Sequence, residues 1–189
     1  AAEAELLKPI DEYVGKIQKQ IDALRVDGSD KVRSLKNHIA IAKEDKNLTK
    51  EERAKIIAKD KADLEKAKSV ESANKDKVSK LISDAEGYLS KHYKSDYYEK
   101  VVASCEAEKA AENASYDKIV ATIKTEHEQA LAKLSDSEEI KDEKYVYRNR
   151  LFDAQMTHES KLQEIKDRKH DAFAHKFHLI DLLRMSKYT

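Results

Sequence analysis

Apolar residues recur along most of this chain at alternating spacings of four and three positions. Such a heptad pattern is typical of helices that bury one stripe against neighbouring helices. The first run of the pattern consists of Leu6, Ile10, Val14, Ile17, Ile21 and Leu24. The stretch VDGSDK then interrupts it, and Gly28 is a candidate left-handed C-terminal cap. Because the pattern resumes at Val32, the sequence predicts one helical arm over residues 4–46 with a kink at 27–30.

The stretch NLTKEER contains the clearest helix start in the sequence. Thr49 followed by Glu52 forms a capping box, in which the hydroxyl and the carboxylate each accept a backbone N–H at the helix start. A second arm is therefore predicted over residues 50–92. Glu71 and Asn74 fall on its apolar stripe. One interpretation is a buried polar group that fixes the register, and the other, which we favour, is a loosely packed and partly solvated stretch.

The stretch SKHYKSDYYEK is a candidate turn. Ser95 or Asp96 could cap a new helix there, and the apolar phase shifts at the same place. Without a turn, residues 50–134 would form one helix of about 85 residues, roughly 125 Å long, which is unusual for a chain of this size. The sequence therefore predicts a turn near Ser95 and a third arm over residues 96–134.

The last arm is predicted over residues 138–186, after Ser135 and Glu138 in capping-box register. Its seam comprises Tyr147, Leu151, Ala154, His158, Leu162, Ile165, Lys169, Ala172, Lys176, Leu179 and Leu183. Short connections favour antiparallel neighbours. The predicted fold is an all-α, elongated antiparallel bundle of coiled-coil hairpins with four long arms, the first kinked, forming a single elongated domain over residues 1–189.

An even number of arms would place both chain termini at one apolar end of the molecule. The final helix is apolar nearly all round, although a bundle arm normally buries only one stripe. Either the N-terminal residues wrap around it and thicken this end, or the end is an attachment surface for another protein. The candidate attachment residues are Leu6, Leu7, Tyr97, Tyr98, Phe173, Phe177, Ile180 and Leu182.

Composition supports long helices, because only 3 Gly and 1 Pro occur in 189 residues. The 37 basic and 37 acidic residues balance, which argues against a dedicated nucleic-acid binder. Tyrosines near residue 95 could stack on single-stranded bases, but their acidic neighbours weaken that interpretation. No apolar run approaches the ~18 residues that a membrane span needs.

The sequence shows no pattern of catalysis or cofactor binding, so we expect neither an enzyme nor a cofactor. Cys105 lies on an apolar seam and is expected to be a buried small hydrophobe rather than a nucleophile. His175, His178 and Asp181 are metal-site candidates at spacings of three residues. A second helix would have to supply another ligand, and surface histidines are the interpretation that we favour.

These patterns predict a non-enzymatic helical interaction or spacer domain. The chain begins with Ala rather than Met, so we expect a soluble domain excised from a larger protein, and a membrane-attached parent is one interpretation. Adjacent termini would allow its insertion into a parent chain. The alternative is a surface-displayed helical bundle that binds a host or partner protein through exposed helix faces. The expected partner is a protein or the remainder of the parent chain, with a homodimer as a further possibility; no compartment is predicted.

Overall fold

The computed structural model describes residues 2–187, and almost all of them are helical. No strand occurs in this range, which confirms the all-α prediction. Two π-helical segments, named here the first and second π segments, interrupt the α-helices without ending them. In chain order the elements are α1 (Ala2–Arg25), the first π segment (Val26–Asp30), α2 (Lys31–Glu44), α3 (Lys50–Tyr88), the second π segment (Leu89–Tyr98), α4 (Glu99–Ala132) and α5 (Ser137–Ser186).

The break predicted at residues 27–30 is the first π segment rather than a capped helix end. No glycine between residues 2 and 187 has a positive φ, so the proposed left-handed cap at Gly28 is wrong. Gly28 is instead buried inside a continuous helical run. A π turn contains an extra residue, so it can shift the apolar stripe without ending the helix.

The turn predicted near Ser95 is also wrong. The chain is helical without interruption from Lys50 to Ala132, through the second π segment. The phase shift that suggested a turn is absorbed by wider helical turns. Its sequence signal is a run of buried residues spaced by four, namely Ala85, Leu89, Tyr93, Tyr97, Val101 and Cys105. The four predicted arms are therefore three helical runs, and the even number of arms that placed the termini together does not occur.

The chain forms two compact units. The described part of unit 1 comprises residues 2–94 and 176–187, and unit 2 comprises residues 95–175. In unit 1, α1 and α2 pack along α3. One of its apolar clusters consists of Val32, Ile39, Leu64 and Ala67, flanked by Leu35 and Ile57.

The capping box at α3 is confirmed. Thr49 Oγ1 accepts a hydrogen bond from the Glu52 backbone N–H at 3.1 Å, and Glu52 Oε2 accepts one from the Thr49 N–H at 2.9 Å. The start of α5 differs from the prediction, because Asp136 accepts the Glu139 N–H at 3.2 Å in place of the predicted Ser135 cap. Aspartate is as good an N-cap as serine, so the helix begins within one residue of its predicted start.

Unit 2 is a hairpin of α4 and the first part of α5. Only a few of its side chains are buried, and these are Tyr97, Val101, Cys105, Ile123, Ile165 and Ala172. A two-helix hairpin buries only one stripe of each helix. Polar contacts between its helices therefore contribute more to fixing the register than they would in a fold with a larger apolar core.

Candidate functional site

The predicted attachment residues differ in exposure. In unit 1, Leu6, Leu7, Ile180 and Leu182 are half-buried, whereas 51% of Phe177 is exposed. In unit 2, the remaining three range from buried to exposed, namely Tyr97, Tyr98 and Phe173. The half-buried leucines lie partly inside unit 1, so the predicted surface is not uniformly open.

The C-terminal segment of α5 packs into unit 1, which explains its apolar character. Leu179 and Leu183 are buried there, and Arg184 Nε donates to Glu86 Oε1 at 2.8 Å. This contact raises the pKa of the Arg184 guanidinium, first through the hydrogen bond and then through the charge of Glu86. Ser186, at the end of this segment, lines a cleft together with residues of α1 and α3. The segment therefore meets more than one helix, and a helix in that setting buries more than one stripe.

The N-terminal helix reaches the same part of α3. The rings of Tyr13 and Tyr88 stack with centroids 3.8 Å apart, and the Tyr88 ring also stacks on His92 at 4.5 Å. Burial, then the charge of Asp84 and then Tyr88 raise the pKa of the Tyr13 hydroxyl, which therefore stays neutral. Since Tyr88 and Glu86 are two residues apart on α3, α1 and the end of α5 meet α3 at the same level. The chain ends Ala1 and Thr189 lie outside the described residues.

A cleft of about 220 Å³ opens where α1, the first π segment, α3 and the end of α5 come together. Its wall combines apolar and charged groups, among them Ile21, Leu24, Arg25, Asn74, Val78 and Lys187. Arg25 forms ion pairs with Asp22 at 3.4 Å and Asp30 at 3.9 Å. The cleft therefore lies at a packed junction of helices.

Asn74 has a specific role at this junction. Its exposed fraction is 7%, and its Nδ2 donates to the Leu24 carbonyl at 2.9 Å. Beside it, a Cβ on Gly28 would lie 3.1 Å from the Glu71 Cα, so the two helices approach each other closely there. The loosely solvated middle that we favoured for this part of α3 is therefore wrong, and Asn74 fits the alternative of a buried register-fixing group.

A second buried polar residue of α3, Asp60, was missed by the sequence analysis. It is 7% exposed, and its Oδ2 accepts a hydrogen bond from His38 Nδ1 at 2.5 Å. A sequence signal exists, because the four-three spacing from Ile57 to Leu64 passes through Asp60. Glu71 and Asn74 were assigned to this stripe, but Asp60 was not considered, so its pairing with His38 was not predicted.

Unit 2 contains the same three-residue arrangement twice, with the two helices exchanged. In the first copy, His158 of α5 stacks on Tyr116 with centroids 4.1 Å apart, and its Nδ1 lies 3.1 Å from Glu112 Oε1 of α4. A glutamate and a tyrosine four residues apart thus hold a histidine of the opposite helix.

In the second copy, His127 of α4 stacks on Tyr147 at 3.9 Å and bonds Glu143 Oε1 at 3.2 Å. Glu143 and Tyr147 are again four residues apart, now on α5. Both histidine side chains are only 12% exposed. Any slip between α4 and α5 would break both sets together, so the repeated arrangement fixes the register of the hairpin.

Ion pairs flank this seam on the hairpin surface. Lys169 Nζ donates to Glu106 Oε1 at 2.5 Å, and Arg168 donates to Glu108. The hydrogen bond from Lys169, followed by its charge, lowers the pKa of Glu106, and the pKa of Lys169 rises for the same reason. The hydrogen bond from Arg168 likewise lowers the pKa of Glu108.

The candidate metal ligands are not brought together with further donors. Residues 2–187 contain no group of three or more side chains that could hold a metal ion. His175 is half-buried, whereas His178 and Asp181 are exposed. Cys105 is buried as expected.

Comparison with known protein families matches nearly the whole chain. The family model described as "ABC transporter permease MglC, N-terminal domain" matches residues 2–189. No curated protein and no solved structure matches the chain. Between residues 2 and 187, no helix combines the length and the apolarity that crossing a bilayer requires.

Proposed function

The chain belongs to the family of N-terminal domains of the ABC transporter permease MglC, and we propose that it serves such a permease as a non-enzymatic helical spacer and interaction domain. A permease acts in a membrane, so the domain is part of a larger membrane-associated protein. The spacer holds its two terminal segments side by side in unit 1, where both can be joined to the rest of the permease.

The observation that carries this proposal is the shared packing of the two terminal segments on α3. Tyr13 of α1 contacts Tyr88, and Arg184 of α5 contacts Glu86, only two residues away. Close terminal segments let a domain be joined to a parent chain without separating the parts on either side. The last residues of α5, Ser186 and Lys187, line a cleft with Ile21 and Leu24, so they meet the later part of α1 rather than its first residues.

The polar groups inside the seams support a structural role. Asn74 bonds a backbone carbonyl, and Asp60, Glu112 and Glu143 each bond a histidine of a neighbouring helix. These contacts join helices to one another, and a buried polar group with a partner favours one register over others. Their chemistry is used within the fold, which supports a spacer rather than a catalyst.

The test uses the full-length permease in three forms: intact, with residues 2–187 replaced by a short flexible linker, and with residues 2–187 replaced by an unrelated helical bundle with equally close ends. We expect the linker form to insert into the membrane and to lose most of its transport. Recovery of transport with the unrelated bundle would show that the domain acts by spacing alone. Loss of transport in both replaced forms would show that a specific interaction is required as well. Equal transport in all three forms would contradict the proposal.

A second candidate function is a surface-displayed bundle that binds a partner protein through an exposed helix face. The exposed apolar side chains on α5 favour it, because Tyr145 and Phe152 are 62% and 59% exposed. Large apolar groups on a surface commonly mark an interaction site. Capture of a partner by the intact domain, abolished by Phe152→Ser, would support this function.

A further inference from the structure

A stripe of large apolar side chains lies on α5 in unit 2, away from the seam that faces α4. Tyr145, Phe152 and Met156 are 62%, 59% and 51% exposed. At about 100° per residue, the three lie within about 40° of one another around the helix. The half-buried seam residues Leu151 and Ala154 lie on the other side. Unit 2 therefore presents a second apolar face that its own hairpin leaves open.

This face has the spacing of a coiled-coil seam. Tyr145, Asn149, Phe152 and Met156 follow one another at intervals of four, three and four residues. In a heptad they occupy positions d, a, d and a, which puts Asn149 at an a position. The same register places Asp142 before the stripe and Glu159 after it, so the apolar face is about two heptads long.

We propose that this α5 face packs against the same face of a second copy of the chain, as a short parallel two-stranded coiled coil. The inference rests on the proposed interaction role and names the partner. In parallel register, Asn149 meets Asn149 of the second copy, and a polar pair at one a position specifies register and a two-stranded state. Phe152 and Met156 each meet their own counterparts, which gives apolar layers on that side of the asparagine layer.

Charge complementarity selects the parallel arrangement. The residues that flank the stripe at g and e positions are Arg148 and Asp153, five residues apart, and a parallel coiled coil pairs such positions between chains. Both side chains are exposed, and the pairs that join α4 to α5 use Arg150 and Lys161 instead. Each dimer would gain two pairs of opposite charge.

The antiparallel arrangement of the same faces is less favourable. It would place Asn149 opposite Phe152, so that a polar amide would meet an aromatic ring. It would also place Arg148 beside Gln155 and leave Asp153 beside Val146, so neither charge would gain an opposite partner. The residues of the stripe therefore distinguish the two directions.

The size of the face sets the strength of the contact. Two half-exposed aromatic rings and a methionine provide on the order of 300 Å² of apolar surface per copy. Stable protein complexes bury about 800 Å² per partner. The isolated chain should therefore dimerise weakly, whereas copies attached to one assembly would associate readily, because tethering raises the effective concentration to about millimolar.

Sedimentation equilibrium of the 189-residue chain, from about 10 μM to about 1 mM, measures this association. We expect a concentration-dependent dimer whose Kd rises at least about tenfold with Phe152→Ser. The matched control is Ile41→Ser, because Ile41 is 66% exposed on α2 and lies outside the stripe. Circular dichroism of each variant verifies that it is folded. A monomer throughout this range, or a dimer that Phe152→Ser leaves unchanged, would overturn the proposal.

Charge exchange tests the direction of packing. Arg148→Glu and Asp153→Lys should each weaken the dimer, because each change places two like charges opposite each other. The double variant should restore the dimer, since the two charges are then exchanged and each again faces its opposite in the second copy. Mixing the two single variants should give a heterodimer tighter than either homodimer. A double variant no tighter than the single variants would overturn the parallel register.

The two proposals can fail separately. A monomeric chain would overturn the α5 coiled coil and leave the outcome of the permease replacement experiment unaffected. Conversely, equal transport in all three permease forms would contradict the spacer role without changing the measured dimerisation of the isolated chain.

Discussion

The side-chain nitrogen of Asn74 donates a hydrogen bond to the backbone carbonyl of Leu24 at 2.9 Å, fifty positions away in sequence. Leu24 lies just before the first π segment, where the regular α-helical bonding pattern changes. The hydrogen bond therefore joins α3 to the end of α1, where the helix changes from α-helical to π-helical turns. Asn74, a polar residue on the α3 seam, is thus bonded directly beside the π-helical backbone of the N-terminal helical run.

Asn74→Ala should lower the free energy of unfolding by about 1–3 kcal/mol, because the Leu24 carbonyl loses its side-chain donor and a small cavity is left. Urea denaturation followed by circular dichroism measures the change. Asn113→Ala on the exposed face of α4 is the matched control and should have little effect. An Asn74 variant as stable as the wild type would mean that the buried bond has no energetic role.

Gly28→Ala should destabilise the chain by about 1–3 kcal/mol, because the added methyl group would lie 3.1 Å from the Glu71 Cα. Gly15→Ala and Gly87→Ala are matched controls, since no atom lies within 4 Å of a Cβ built at either position. Both controls should stabilise their helices by about 0.5–1 kcal/mol. Urea denaturation of the three variants shows whether each change raises or lowers the free energy of unfolding. The same sign for all three would contradict close helix approach at Gly28.

Thr49→Ala should lower the free energy of unfolding by about 1 kcal/mol. It removes the Thr49 hydroxyl, which accepts the Glu52 N–H at the start of α3. Thr125→Ala, at an exposed position inside α4, is the control and should be neutral or slightly stabilising, since alanine is the better helix former. Chemical denaturation measures the free energy of unfolding of both variants. A silent change at Thr49 would show that α3 does not depend on this cap.

Acid should weaken unit 2 through Glu106 and Glu108, whose native pKa values lie below the ordinary value of 4.5. A lowered native pKa stabilises the fold above the unfolded pKa, and this contribution is lost as the pH falls through the native pKa. Replacing both residues by glutamine should therefore flatten the fall in urea midpoint below pH 4.5. Glu128→Gln, an exposed change on α4 outside these pairs, is the control. An unchanged pH dependence in the double variant would contradict the assignment.

Local features of the sequence predicted the helices and the α3 cap, because a capping box and a heptad stripe depend on neighbouring residues. The π segments could not be read in the same way. Whether Leu89, Tyr93 and Tyr97 end a helix or continue it as wider turns depends on the burial that other helices provide. A run of apolar positions spaced by four, such as Ala85 to Cys105, indicates that the helix continues through π-helical turns.

The polar contacts were harder to predict for a related reason. His158 was assigned to the apolar seam of the last arm, but its pairing with Glu112 and Tyr116 requires the register between α4 and α5. Likewise, Asp60 was not assigned to the stripe of α3, although it is buried against His38. The sequence identifies which positions face a partner helix, whereas the three-dimensional register decides which polar groups meet.

In unit 1, α1 and the C-terminal segment of α5 lie side by side on α3. Spin labels at Glu12 and Asp181 measure this arrangement, because both residues are exposed and lie close to the Tyr13–Tyr88 and Glu86–Arg184 contacts. Buried Cys105 should not compete for the labels. Neighbouring helices pack 8–10 Å apart, so pulsed electron paramagnetic resonance should give a separation of about 10–25 Å. A separation of about 60 Å, the length of roughly 40 helical residues, would contradict the account.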